Sequence, residues 1–216
     1  MEVLMPNWCD NRISITGPNS IVNKISMTVN AEEGILNVIA PIPAELKDSV
    51  SGSENAKPDW QKKQSKELIK KYGYDNWYDW CLNNWGTKWD LCEYYGVDVK
   101  DIDDETSTIS FNTQSAWSPP LTAFETFIEQ NEDVDVEIAY YEPGCDFMGI
   151  WHNGQDDCWT CSDTAPKSDS DFWDTDAGRY LDDSFNICET LSEYEAMDKE
   201  EVQEWYEDGK KELNLG

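Results

Sequence analysis

Residues Val134 to Tyr141 read VDVEIAYY, in which Val134, Val136, Ile138 and Tyr140 alternate with Asp135, Glu137, Ala139 and Tyr141. A repeat of two over eight residues marks a strand with one buried face, because successive side chains point to opposite sides of a sheet. Glu142-Pro143-Gly144 follows as a turn, and Asp146 to His152 supplies a partner run, so the segment closes as a hairpin. The same alternation sets Ile13 and Ile15 against Arg12, Ser14 and Thr16, and Gly17-Pro18 closes it. Thr106 to Thr113, rich in β-branched residues, reads as a further strand, and Tyr94 to Ile102 as extended chain.

Helical spacing occupies the intervals between these runs. Asn19 to Asn30 places Ile21, Val22, Ile25 and Met27 mostly on one side, as a helix packing on a sheet would. The apolar run Ile35 to Ile39 is followed by Pro41-Ile42-Pro43, which cannot continue a helix. Beyond a small, polar stretch from Ser49 to Lys57, Trp60, Leu68 and Tyr72 line one helical face that stops at Gly73. The aromatic block Tyr74 to Trp89 begins as a short helix ending at Gly86. Ser118-Pro119 has the form of an N-cap with proline in the first turn, opening a helix that carries Leu121, Phe124, Phe127 and Ile128.

The order strand–helix–strand, insertion, strand–helix–strand–strand predicts an α+β chain built as a ferredoxin-like α/β sandwich over residues 1–153. An aromatic-rich helical insertion at about 50–92 interrupts it. Residues 154–216 form an acidic extension, loop-rich in its first part, expected to pack on the first domain. It ends in a helix where Asp198 and Glu201 have capping-box spacing and Met197 faces Val202 as a hydrophobic staple. Val202 and Trp205 are expected to bury against the body.

Four stretches together resemble one family. Pro6-Asn7-Trp8-Cys9-Asp10-Asn11-Arg12 opens the first strand. Asn84-Trp85-Gly86-Thr87-Lys88-Trp89-Asp90 stands in the middle, followed by Phe111-Asn112-Thr113 leading to Ala116-Trp117-Ser118-Pro119-Pro120. Tyr141-Glu142-Pro143-Gly144 with Asp146, Phe147 and Gly149 closes the set. In this order they resemble the YubB ferredoxin-like family of phage and plasmid proteins over about residues 5–152. The resemblance implies a ferredoxin-like fold and residence on mobile elements, and no activity.

Sixteen Lys and Arg stand against 45 Asp and Glu, a formal charge of −29. Such a field opposes contact with DNA, RNA or an anionic membrane, whose recognition runs on Lys and Arg, and it favours a basic protein surface. Lys62, Lys63, Lys66, Lys70 and Lys71 form one basic cluster, read as a solvated helix face. Acidity that serves only solubility is the simpler alternative. Hydrophobic residues are few at 39%, but eleven Trp, ten Tyr and six Phe supply the buried area a core needs. No apolar run is long enough to span a bilayer, and Met1 to Asn7 lacks the pattern of a signal peptide. The expected location is the cytoplasm of a host cell, with seven reduced thiols.

The sharpest candidate is a carboxylate surface of Asp156, Asp157, Asp163, Asp169, Asp171, Asp174, Asp176, Asp182, Asp183, Glu193 and Glu195, interleaved with Trp159, Phe172, Trp173 and Tyr180. Carboxylates standing where phosphates would be, with aromatic anchors between them, are the elements of a nucleic-acid mimic. The expected role is a non-enzymatic inhibitor that occupies the groove of a host nucleic-acid-binding protein, a defence nuclease being the type of partner.

Cys158-Trp159-Thr160-Cys161 offers a second reading. Two thiolates at this spacing can clamp zinc, with His152 and either Cys145 or Cys188 completing a tetrahedron, and the chain would then be a metal-stabilised protein-binding module. A second tight pair is missing, and ordinary buried thiols without a cofactor are the simpler reading. With one histidine and no P-loop, GxSxG or HExxH, catalysis rests on a metal-dependent hydrolase with Asp and Glu ligands as the remaining alternative. The Asn84–Asp90 and Ala116–Pro120 motifs could wall a polar pocket, or could place Trp85, Trp89 and Trp117 in the core.

Overall fold

The computed structural model describes residues 7–51 and 58–197. The chain is α+β, with a six-stranded antiparallel sheet and helices between its strands. It divides into two compact units, residues 1–158 and 159–216.

In the first unit, β1 (Trp8–Pro18) is central, paired antiparallel with β3 (Thr106–Ala116) on one side and β4 (Asp135–Glu142) on the other. β2 (Cys92–Asp101) adds to β3, β5 (Phe147–His152) to β4, and β6 (Gln155–Thr160) to β5, giving the order β2-β3-β1-β4-β5-β6. Helix α1 (Asn19–Asn30) follows β1, and α6 (Leu121–Gln130) follows β3. Between α1 and β2 lie two single-turn helices, α2 (Leu36–Ile39) and α3 (Ala44–Lys47), then α4 (Asp59–Tyr72) and α5 (Trp77–Asn84).

One face of the sheet is the core. Cys9, Ile13 and Ile15 from β1, Ile109 and Phe111 from β3, and Val136, Ile138 and Tyr140 from β4 are buried. They pack with Val22, Ile25 and Val29 of α1 and with Phe124 and Phe127 of α6. The strict alternation along β1 and β3 follows from that single buried face. The opposite face carries polar rows: the Thr16 and Thr108 hydroxyls lie 2.7 Å apart, and Ser110 donates to Ser14 at 3.2 Å.

Three expectations need correction. Ser118 does not cap α6: the cap residue is Pro120, no side chain satisfies the first turn, and the Ser118 hydroxyl donates to the Gly86 carbonyl instead. Trp60 does not line the buried face of α4: it is 68% exposed, whereas Leu68 is buried. The region after Gly154 is not loop-rich. It forms β6, then, in the second unit, α7 (Cys161–Thr164), a 3-10 turn (Asp171–Asp174), α8 (Asp176–Phe185) and α9 (Ile187–Ala196). Among its described residues Ala165, Trp173, Gly178, Leu181 and Ile187 are buried. The capping box and staple at 197–202, and Trp205, lie outside the described residues.

Candidate functional site

The segment Asn84–Asp90 is fixed from several sides. The Trp85 indole donates from Nε1 to the Ala40 carbonyl at 2.7 Å and meets Trp80 edge to face at 5.7 Å. Gly86 takes φ +83°, a conformation that strains a side-chain-bearing residue, and it lies close under Pro119. Thr87 donates from Oγ1 to the Ala116 carbonyl at 2.9 Å. Asp90 accepts from three backbone N–H groups, those of Leu36 (2.8 Å), Asn37 (2.9 Å) and Leu91 (2.8 Å). Burial nonetheless outweighs these bonds and holds its carboxyl above the usual carboxylate range.

The four motif stretches meet here. Trp117 N–H donates to the Asn7 carbonyl at 2.9 Å, and Asn7 Nδ2 donates to Cys145 Sγ at 3.5 Å. Asn11 Nδ2 donates to Ser115 Oγ at 2.9 Å, and the rings of Trp8 and Trp89 lie 6.3 Å apart. Of the three tryptophans weighed as core anchors, Trp85 is buried and Trp89 half-buried. Trp117, at φ +73°, is 44% exposed, so it anchors nothing in the core.

Beside this junction lies a cavity of about 520 Å³, lined in part by Asn37, Lys47, Trp77, Trp85, Lys88 and Trp89. The Lys88 ammonium sits over the Trp89 ring at 4.2 Å from its centroid and 5.8 Å from that of Tyr78. Spacing along the chain pointed to 84–90 but not to the opposite wall. Asn37 and Lys47 come from single-turn helices that leave no periodic signal.

The predicted carboxylates have distinct fates. Asp163, Asp169, Asp171, Asp174, Asp176, Asp183, Glu193 and Glu195 are exposed in the second unit, and Asp156 and Asp157 are exposed on β6. Asp182 is half-buried, and its Oδ1 accepts from the Cys188 N–H at 2.6 Å, holding the start of α9. Glu195 accepts from the Ser168 N–H (3.0 Å) and hydroxyl (2.8 Å), and Asp176 pairs with Arg179 at 2.6 Å. Asp156 accepts from the buried Tyr140 hydroxyl at 2.7 Å. Burial raises the phenol well above its ordinary range, so the tyrosine remains the donor. Asp182, Glu195 and Asp156 therefore serve the fold directly.

Among the described residues, no three His, Cys, Asp or Glu side chains gather as a group that could hold a metal. His152 Nε2 lies 2.9 Å from Asp135 Oδ2, which also accepts from Asn153 Nδ2 at 2.7 Å. The expectation of buried thiols needs correction: Cys158 is exposed on β6, an edge strand, Cys161 is half-buried at the start of α7, and Cys145 is exposed beside Asn7. Burial pushes the Cys81 thiol up to about 12 and the Cys188 thiol, bonded to Asp182, to about 11, so both stay protonated at neutral pH. On α4, Lys62 is half-buried and Lys63, Lys66, Lys70 and Lys71 are exposed; Lys71 pairs with Glu45 at 2.7 Å. Among the described residues no helix is long and apolar enough to cross a membrane.

No family model matches the chain, and no curated protein matches it. A similar solved structure is the crystal structure of protein api92 from Yersinia pseudotuberculosis, of the family model DUF1281. It is 12% identical, with 72% of this chain and 95% of that chain covered at a TM-score of 0.37. A likeness at that level bears on neither fold nor function.

Proposed function

We propose that this chain is a non-enzymatic protein of mobile elements that occupies the basic nucleic-acid groove of a host protein, a defence nuclease being the type of target. The supporting observation is the composition and exposure of residues 159–197. They hold ten carboxylates against two cations, Lys167 and Arg179, and nine of the ten are exposed. These carboxylates stand on a scaffold rather than on loose chain. Trp173 is buried and donates from Nε1 to the Lys167 carbonyl at 2.8 Å; the Phe172 ring lies 5.3 Å from that of Trp159, tilted, and 5.3 Å from that of Trp173, edge to face. Fixed charges cost less ordering entropy on binding than mobile ones, and a field of one sign speeds encounter with a cationic groove.

For the first unit we read the connectivity as ferredoxin-like. The order β2-β3-β1-β4, with antiparallel neighbours and helices after β1 and β3, supports a βαββαβ core. The segment from α2 to α5 is then an insertion, and β5 and β6 extend the sheet beyond β4. Convergence of the four motif stretches through Asn7, Gly86, Trp117 and Cys145 favours the resemblance to the YubB family. Those positions have reason to occur together.

The test is affinity capture from a host lysate on the immobilised chain, followed by two elutions. Captured protein is expected to leave with added DNA duplex, and also as salt rises through the physiological range, because the contacts are between exposed charges. Capture indifferent to both would remove the basis of this reading.

A further inference from the structure

The cavity beside Trp89 has a composition unlike the rest of this acidic chain. Three indoles wall it, Trp77, Trp85 and Trp89, and two of the sixteen cationic residues, Lys47 and Lys88, line it. Of its two carboxylates, Asp90 is taken up by three backbone N–H groups, which leaves Glu33, exposed, as the acid facing a guest. Its volume of about 520 Å³ lies within the roughly 300–1,000 Å³ of small-molecule sites.

We propose that this cavity binds a single nucleotide, the base stacked among the indoles and the phosphate held by Lys88 and Lys47. Trp77 and Trp89, both half-buried, provide flat faces on which any base can stack, with the buried Trp85 behind them. Lysine binds phosphate as a point charge, and Lys88 is already stationed over the Trp89 ring. The Asn37 side chain accepts from the Ile42 N–H at 3.3 Å through Oδ1, which leaves its amide N–H groups for a base edge. A polynucleotide brings many phosphates against a field of −29, whereas a mononucleotide brings one, and that one meets two ammonium groups. The back wall is closed by fit. A Cβ added at Gly34 would lie 2.3 Å from Asp90 Oδ2, so only glycine lets this loop press against the carboxylate.

The experiment is calorimetric titration of the full chain with adenosine 5′-monophosphate, and in parallel with adenosine and with inorganic phosphate. The other three ribonucleoside monophosphates give the base preference. The nucleotide is expected to bind with a sub-millimolar constant and each fragment at least about tenfold more weakly, because stacking and charge are both used. Trp89→Ala and Lys88→Gln should each weaken the nucleotide about tenfold, and Lys88→Gln should also flatten its salt dependence. Both side chains are half-exposed, and circular dichroism of the variants separates loss of the site from loss of the fold. No binding of any of the four nucleotides at millimolar concentration overturns the assignment. So does adenosine binding as tightly as its phosphate, or affinity unchanged in two folded variants.

Discussion

Asp90→Ala is expected to destabilise the first unit by about 3–5 kcal/mol in urea denaturation. The carboxylate accepts the N–H groups of Leu36, Asn37 and Leu91. Leu36 and Leu91 are buried, so removing their acceptor leaves two donors without their protein partner, at about 1–3 kcal/mol each, and the lost packing adds to this. Asp90→Asn should cost only about 1 kcal/mol, since the amide oxygen keeps two of the three bonds and the exposed Asn37 N–H can turn to water.

The contrast carries a pH signature. Burial holds the folded-state pKa of Asp90 above its ordinary value of 3.8. A group raised in this way contributes stability that is fully present below the unfolded pKa and lost as pH climbs through the folded one. Asparagine has no such term, and the other acids cancel in the difference. The deficit of Asp90→Asn should therefore be smaller at about pH 7 than at about pH 4.5. A deficit that grows with pH would mean that the ionised form is the one the fold favours.

The second large effect is Gly178→Ala in α8. Helix propensity alone makes this change stabilising by about 0.8–1 kcal/mol. Geometry reverses the sign. A Cβ at Gly178 would lie 2.1 Å from the Phe172 carbonyl oxygen, 2.8 Å from its carbon and 2.9 Å from Trp173 Cα. These are backbone atoms and cannot turn aside, so α8 must move off the 3-10 turn. That opens the packing between α8, which carries the buried Leu181, and the turn, which carries the buried Trp173. The loss should reach about 3 kcal/mol, the upper end for overpacking. It should appear as hydrogen exchange in 171–185, with the sheet of the first unit still protected. A stabilised second unit would show that the turn and helix are not packed as described.

Legibility followed burial. β1 and β3 each have one covered face, so their buried residues alternate and could be read directly. β4 alternates in its first half only, and β5, where Met148 and Trp151 lie on opposite faces and both are buried, was marked by the turn before it. β6 could not be read, because Gln155, Asp156, Asp157 and Cys158 are all exposed on an edge strand and no face selects apolar residues. Helices α8 and α9 were hidden by carboxylates around a small core of Leu181 and Ile187, although Thr175, which accepts from the Gly178 N–H at 3.0 Å, is a recognisable cap. At the candidate sites, residue type was legible and role was not. Asp182 and Asp183 are adjacent and identical in sequence, yet one holds the start of α9 and the other is exposed. The cavity had one wall in a visible motif and the other on two helices of four residues.

The central claim is that exposed carboxylates of residues 159–197 do the work of phosphates. Its most direct test is displacement of a fluorescent DNA duplex from the captured host protein, followed by anisotropy. The intact chain is compared with a variant in which Asp163, Asp169, Asp171, Asp174 and Asp183 are changed to asparagine. The intact chain should release the duplex, and the variant, equally folded, should need at least about tenfold more protein and show a shallower salt dependence. Equal competition by the two proteins, or duplex and chain bound together on one partner, would contradict the account.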